Sequence, residues 1–511
     1  MKFSIECKKE KWNILKTVEQ LDLVFTETNA GKSYFCLFMN CTFKNFMNWT
    51  KKQISILGIV AITSFMGTFL ISSVNIALPA IEKSFELNAI ELSWVITSFL
   101  LATAMFLLPV GRWGDLTGIR RIFKIGVIIF TIASIVCGFA TSGFWLILFR
   151  FIQGIGAAFS STTGPAILVS AFLPQYRGRV LGMSVSAVYL GLAFGPFAGG
   201  LLTQYLGWRS IFFVSSALGI LTIIIAFLFL GKDKHDNISV KKPDLTGTLF
   251  YMTGLVAMVY GSSRIPGVSG WLLMGGGSLA LVIFWWVESQ SVMPVLETKL
   301  FTRNRLFAFS NLAALINYSA TFAIVFLLSL YLQKIQGLTP RNAGIILVAQ
   351  PAMMAVFSPV AGRFSDRIQP RYLATLGMTM CTLGLAAFAF LSGTTPVWLI
   401  VVLLLWVGLG FAFFSSPNMN TIMSSVHKNQ LGLASGSAAT MRVVGQIVSM
   451  TIATLFFAGM MGNQAIDSVP DNLFLKAMKW GFITFSLISV AGIYFSYSRG
   501  KIVRENPPKK N

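Results

Sequence analysis

The sequence predicts an all-α integral membrane protein with fourteen transmembrane helices, built as two similar six-helix halves with two inserted central helices. Three observations carry this expectation. Hydrophobic residues make up 55% of the 511-residue chain and charged residues only 11%, against the ~25% of a soluble domain. So few charges cannot cover the surface of several soluble domains. Apolar stretches of about 20 residues, each able to cross a bilayer, recur from Ile54 towards the C-terminus. A loop pattern, Gly-Arg-aromatic-small-Asp followed by basic residues, occurs twice, at 111–121 and 362–371.

Taken in order, hydropathy places the first half at 54–78, 92–111, 122–141, 144–172, 180–206 and 209–230. The inserted pair falls at 246–263 and 270–287. The second half follows at 306–334, 343–361, 372–392, 396–420, 431–458 and 474–498. Turns as short as 141–143 can only join adjacent antiparallel helices. Loop charges fix the sidedness. Lys51, Lys52, Arg112, Arg120, Arg121, Lys124, Arg177, Arg179, Lys232, Lys234, Lys241 and Lys242 lie on one side. So do Lys299, Arg303, Arg305, Arg363, Arg367, Arg371, Lys428 and the tail from Arg499 onwards, whereas the opposite loops hold only Lys83, Arg209, Arg264, Lys334, Arg341, Lys476 and Lys479. That asymmetry places both termini in the cytoplasm of a multi-pass cell-membrane protein.

The domain reading is therefore an N-terminal extension over 1–50, a first half over 51–230, an insertion over 231–305, a second half over 306–498 and a basic tail over 499–511. Within the extension, Ile14, Val18, Leu21 and Phe25 share one helical face and suggest an amphipathic helix. The stronger expectation is that translation begins at Met47, because Met47-Asn-Trp-Thr-Lys-Lys reads as a short basic start before the first span.

Several functions are disfavoured. The net charge of +22 sits in short loops between apolar spans, as a topology bias does, so nucleic acid is not an expected partner. Cys7, Cys36, Cys41, Cys137 and Cys381 form no CxxC pair, and His235 and His427 both fall in loops, so no metal site is expected. No phosphate-binding G-x-x-x-x-G-K-[ST] loop is present and no other cofactor is implied. A membrane-embedded enzyme would need an acid/base cluster, and the chain offers none at mid-membrane.

Four motifs carry the remaining chemistry. In 111–121, Gly111 opens the loop, Gly118 permits a sharp turn, and Arg120 and Arg121 hold it on the basic side. Asp115 can interact with a helix N-terminus near 432–436; its counterparts in the second loop are Gly362, Asp366 and Arg367. In span 4, Arg150 lies about 10 Å along its helix, with Gln153 one turn on. An ionisable group at that depth should face the interior. In span 5, Gly191, Gly195 and Gly199 stand four apart beside Pro196 and Gly200, a stripe that allows close helix approach. In the second half, Arg442 lies well inside span 13 with Gln446 on the same face. Asn75, Gln153, Asn317 and Asn418 can each serve as interhelical glue or as substrate contacts.

This ordered set, over about residues 50–500, resembles the major facilitator superfamily and specifically its 14-span drug:proton antiporter family of multidrug exporters. The resemblance implies a major facilitator fold, alternating access and proton antiport. It makes the Asp115 loop a conformational switch, Arg150 a coupling residue and the span 5 stripe an antiporter motif. One departure matters: where the family commonly carries an acid five residues before the asparagine of span 1, this chain has Leu70. With Arg150 and Arg442 facing no buried carboxylate, the expected substrates are neutral, zwitterionic or anionic amphiphiles, with protons as the coupling ion and a monomer as the working unit. A metabolite or lipid-precursor transporter of the same fold is the competing reading. An enzyme or scaffold is the reading from a different class.

Overall fold

The computed structural model describes residues 49–231, 245–265, 267–291, 295–296, 298–426, 431–462 and 466–500. The expected amphipathic helix, the Met47 start and the tail beyond residue 500 lie outside the described residues. The first set of helices is α1 (Lys51–Phe85), α2 (Ala89–Thr117), α3 (Ile119–Gly138), α4 (Gly143–Ala171), α5 (Pro174–Leu206) and α6 (Arg209–Phe229). Two follow as the hairpin α7 (Leu245–Ser262) and α8 (Val268–Gln290), then the short α9 (Thr298–Arg303). The second set is α10 (Arg305–Thr321), α11 (Ala323–Lys334), α12 (Pro340–Leu347), α13 (Ala349–Arg367), α14 (Pro370–Phe388), α15 (Val397–Ser424), α16 (Leu431–Met461) and α17 (Asp471–Ser498).

Local chemistry sets the ends. Asn88 caps α2 by accepting the Glu91 N–H at 2.9 Å, while the Glu91 carboxylate accepts the Asn88 N–H at 3.0 Å. The same helix stops at Gly118, whose φ of 100° only glycine adopts readily. Pro174 and Pro340 stand in the first turns of α5 and α12, where a missing N–H costs nothing. Expected span 9 is two helices joined at Phe322, and the Ala323 N–H there is taken by Ser449 Oγ of α16 at 3.0 Å. Expected span 10 likewise divides at Val348.

Among the described residues, twelve spans, counting α10–α11 and α12–α13 as one each, are long and apolar enough to cross a membrane, against the fourteen expected. The difference lies in α7 and α14, helices of 18 and 19 residues. Glycines and threonines lower the apolarity of both, and Arg371 in the first turn lowers that of α14 further. A Cβ on Gly254 would come within 3.1 Å of the Gly277 carbonyl, and one on Gly377 within 2.5 Å of the Phe414 nitrogen.

The same neighbours recur in both sets: α2 with α4, α3 with α4 and α3 with α6, matched by α13 with α15, α14 with α15 and α14 with α17. Fully buried Phe69, Phe99, Phe123, Phe130 and Phe212 fill the first set, and Phe326, Phe388 and Phe414 the second. Since lipid is as apolar as these side chains, close packing and interhelical hydrogen bonds hold such helices together.

Candidate functional site

The seam between α1 and α5 is built from glycines on one side and hydroxyls on the other. A Cβ on Gly195 would lie 2.6 Å from Ser72 Cβ, and one on Gly199 2.7 Å from Ser73 Cα, so only glycine admits α1 at this distance. In return α1 donates to the α5 backbone: Thr68 Oγ1 to Val188 O at 3.0 Å, Ser72 Oγ to Leu192 O at 3.2 Å, and Ser73 Oγ to Gly195 O at 2.9 Å. Leu192 O is the carbonyl that Pro196, lacking an N–H, leaves without its helical donor. Gly191 completes the stripe against Phe65 and Thr68. Gly200 turns to α12 instead, where a Cβ would lie 2.6 Å from Pro340 O, and Gly344 packs back on Pro196. The stripe thus lets α5 touch one helix of each set.

A second proline serves the join between the sets. Pro79 leaves Asn75 O without a helical donor, and Ser329 Oγ of α11 donates to it at 2.7 Å. Gln333 Nε2 donates to the adjacent Ile76 O at 3.1 Å. Nearby, Thr454 Oγ1 of α16 donates to Ser93 Oγ of α2 at 2.9 Å. All three bonds lie at the end of the bundle away from the basic loops. Asn75 itself is buried, with its Nδ2 donating back to Ile71 O at 3.0 Å.

Arg150 is fully buried among α2, α3 and α4 rather than open to a cavity. Its Nε donates to Val95 O at 3.0 Å and an Nη to Gln153 Oε1 at 2.7 Å, and Gln153 passes the chain on to Ser134 Oγ at 2.6 Å. The guanidinium carbon lies 4.4 Å from the centre of the Phe99 ring. Its second Nη has no acceptor among the described residues. Leu70, where the resemblance expects an acid, is fully buried as well.

Arg442 is different. It is half-buried on α16, one turn before Gly445, at which a Cβ would lie 2.6 Å from Leu315 O and 2.8 Å from Tyr318 Cβ of α10. Tyr318 packs edge-on against Phe411 at 5.3 Å and lies within electrostatic reach of both Arg442 and Tyr189. Tyr189 of α5 shares a 3.2 Å hydrogen bond with Ser415 of α15. Tyr189, Tyr318 and Ser415 escaped the sequence reading because aromatic and hydroxyl residues are common in membrane helices and carry no motif. Gln446 is half-buried one turn beyond Arg442.

Asn418 turns out to hold a protein group. It accepts from Arg499 at 2.5 Å, and its Nδ2 donates to Ser310 O at 3.1 Å. Arg499, which the loop charges place simply on the basic side, is 1% exposed and also donates to Pro370 O at 3.0 Å. Burial pushes its guanidinium down to about 9, so it is charged at neutral pH, and its burial cost lifts only as pH rises above that value.

In the two repeated loops, Gly111 packs near Thr162 of α4, and Gly362 near Ser416 of α15, with a Cβ 3.6 Å and 2.9 Å away. Arg120 is half-buried and Arg121 exposed. The side chains of Asp115, Asp366 and Arg367 and most of 432–436 lie outside the described residues.

The fold and the sequence find counterparts among known proteins. A solved bacterial homolog of the human lysosomal transporter Spinster, in an inward-facing and unoccupied conformation, superposes with a TM-score of 0.64 over 88% of this chain and 98% of its own, at 16% identity. The chain is 30% identical to the riboflavin transporter RibZ of Clostridioides difficile, over 80% of this chain and 89% of that one. It is 31% identical to the multidrug resistance protein Stp of Mycobacterium tuberculosis, over 74% and 71%. It is 28% identical to the methylenomycin A resistance protein of Bacillus subtilis, over 78% and 86%. Residues 58–450 match the model of the Major Facilitator Superfamily, and the chain belongs to that family of membrane transporters.

Proposed function

We propose that this protein is a secondary active exporter of hydrophobic or amphipathic small molecules, driven by proton antiport and working as a monomer by alternating access. In this reading fourteen helices span the cell membrane, with both termini cytoplasmic, and the halves over 51–230 and 306–498 rock about a central site. The observation that carries it is the construction of the join. The α5 glycine stripe touches α1 of one set and α12 of the other, and single hydroxyl and amide donors such as Ser329 and Gln333 tie the sets at one end. Such bonds number few enough to break and re-form at each cycle. The repeated loops would act as switch elements, Arg150 as a coupling residue and Arg442 as a cavity group. Resistance proteins among the relatives support the export of drugs.

A specific observation favours a second reading, a vitamin or metabolite transporter: the relative RibZ is a riboflavin transporter aligned over 89% of its length. Energised everted vesicles decide between the two. Gradient-dependent uptake of several unrelated amphiphilic dyes supports the exporter. Uptake confined to riboflavin supports the second reading, and no flux of either in energised vesicles sinks both.

A further inference from the structure

Resting on the exporter reading, we propose that Arg442, with Tyr189, Tyr318 and Ser415, forms a binding centre for the anionic head of an aromatic amphiphile, a carboxylate or sulfonate. Among the described residues two arginines are fully buried, and both are served by the protein. Arg150 is bonded to Val95 O and Gln153, and Arg499 to Asn418 and Pro370 O. Arg442 makes no hydrogen bond or ion pair among the described residues. It is also half-buried, whereas Arg150 and Arg499 are at most 1% exposed.

The surroundings explain why no internal acid answers it. Helices α5, α10, α15 and α16 contain no Asp or Glu. Half-buried, Arg442 keeps its donors open to a ligand. An anion entering between the helices meets a planar fork suited to carboxylate or sulfonate oxygens. The hydroxyls of Tyr318, Tyr189 and Ser415 are donors as well. Ser415 sits 3.2 Å from the Tyr189 hydroxyl, and Tyr318 is brought to Arg442 by the Gly445 contact. Phe411, edge-on to Tyr318 at 5.3 Å, supplies an apolar wall for the body of the ligand. Because Tyr189 comes from α5 and the other three groups from the second set, the centre is complete only when both sets close on it.

The test uses the full-length protein in phosphatidylcholine nanodiscs and three matched probes: 2-naphthalenesulfonate, its neutral sulfonamide and 2-naphthylmethylammonium. Fluorescence anisotropy reads binding without any gradient. The sulfonate should bind about tenfold or more tightly than the sulfonamide, as one charge-assisted hydrogen bond of about 1.5–3 kcal/mol implies. Arg442→Gln should abolish that preference, Arg442→Lys retain part of it, and Tyr189→Phe weaken the sulfonate severalfold. If Arg442→Gln does not fold, Arg442→Lys and Tyr189→Phe decide, and both binding like wild type overturns the proposal. So does tighter binding of the ammonium probe, or an unchanged sulfonate preference in folded Arg442→Gln. Adding phosphatidylglycerol to the discs separates lipid from solute: sulfonate displaced through Arg442 by this lipid would assign the centre to a headgroup and overturn the solute reading. Sulfonate preference without dye export in vesicles would sink the exporter reading alone, and export with ammonium preference would sink this one alone.

Discussion

Arg150 shows how one buried charge is kept without a counter-ion. Taking a guanidinium out of water costs several kcal/mol even after relaxation. Against this stand hydrogen bonds to Val95 O and Gln153, worth about 1.5–3 kcal/mol each when a charged donor is involved, and a contact over Phe99 worth up to about 2 kcal/mol. The terms nearly cancel, so stability alone does not require an arginine there. Arg150→Met should therefore change apparent stability by less than about 2 kcal/mol, because a flexible apolar chain of similar length refills the space. Transport should nevertheless be lost. Thermal unfolding of purified protein beside flux per folded molecule checks this: a collapse in stability with normal flux per folded molecule would make Arg150 a purely structural residue. The sequence displayed the depth of Arg150 through its distance along the helix. It did not display Ser134, 16 residues away on α3, as the end of the chain that seals Gln153 in.

At the level of helices, two prolines organise the joins. Pro196 and Pro79 each leave a carbonyl without its helical donor, and in both places a serine from another helix supplies one: Ser72 to Leu192 O and Ser329 to Asn75 O. The prolines were visible in the sequence, as were the glycine stripe and nearly all the helices. The donors were not, because pairing Asn75 with Ser329 depends on a contact across 254 residues that no local pattern records. Among the described residues the count of apolar spans fell short because glycines and threonines in α7 and α14, with Arg371 in α14, lower their apolarity, while Gly254 and Gly377 serve contacts that hydropathy does not see. The Ser329 join leads to a measurement. Hydrogen bonds between membrane helices are worth about 0.6 kcal/mol on average and up to about 1.7. Removing those from Ser329 and Gln333 together should shift the equilibrium by about 1–2 kcal/mol, roughly 5–30-fold in population. In Ser329→Ala combined with Gln333→Leu, spin labels at exposed Glu86 and Thr339 should report a larger long-distance fraction than in the parent. An unchanged distance distribution would mean that the two bonds do not hold this end closed.

For the molecule as a whole, the distribution of acids bears on how export could be driven. Proton exchange needs a group that changes protonation as the site changes sides, and a carboxyl whose pKa is raised by burial is the usual choice. Every Asp and Glu in the described membrane-spanning helices stands near a helix end, namely Glu82, Glu91, Asp115, Glu288, Asp366 and Asp471. Glu91 caps α2 with Asn88, and two more have structural roles. Asp471 pairs with Lys334 at 3.7 Å, and the Glu288 carboxylate accepts the N–H groups of Val295 and Leu296 at 2.6 and 3.1 Å. Leu70 occupies a fully buried position in α1 where a carboxyl would be desolvated enough to carry a proton. Flux of a non-titratable substrate in proteoliposomes should therefore depend only weakly on an imposed pH gradient, and Leu70→Asp should steepen the dependence if the variant folds. Glu82, near the end of α1, is buried, and Asp115 lies in the repeated loop read as a switch, so Glu82→Gln and Asp115→Asn should remove whatever dependence wild type shows. A steep requirement for the gradient in wild type that survives Glu82→Gln, Asp115→Asn and Glu288→Gln would place the proton carrier outside the carboxylates altogether, and would leave the substrate's own titratable groups as the coupled species.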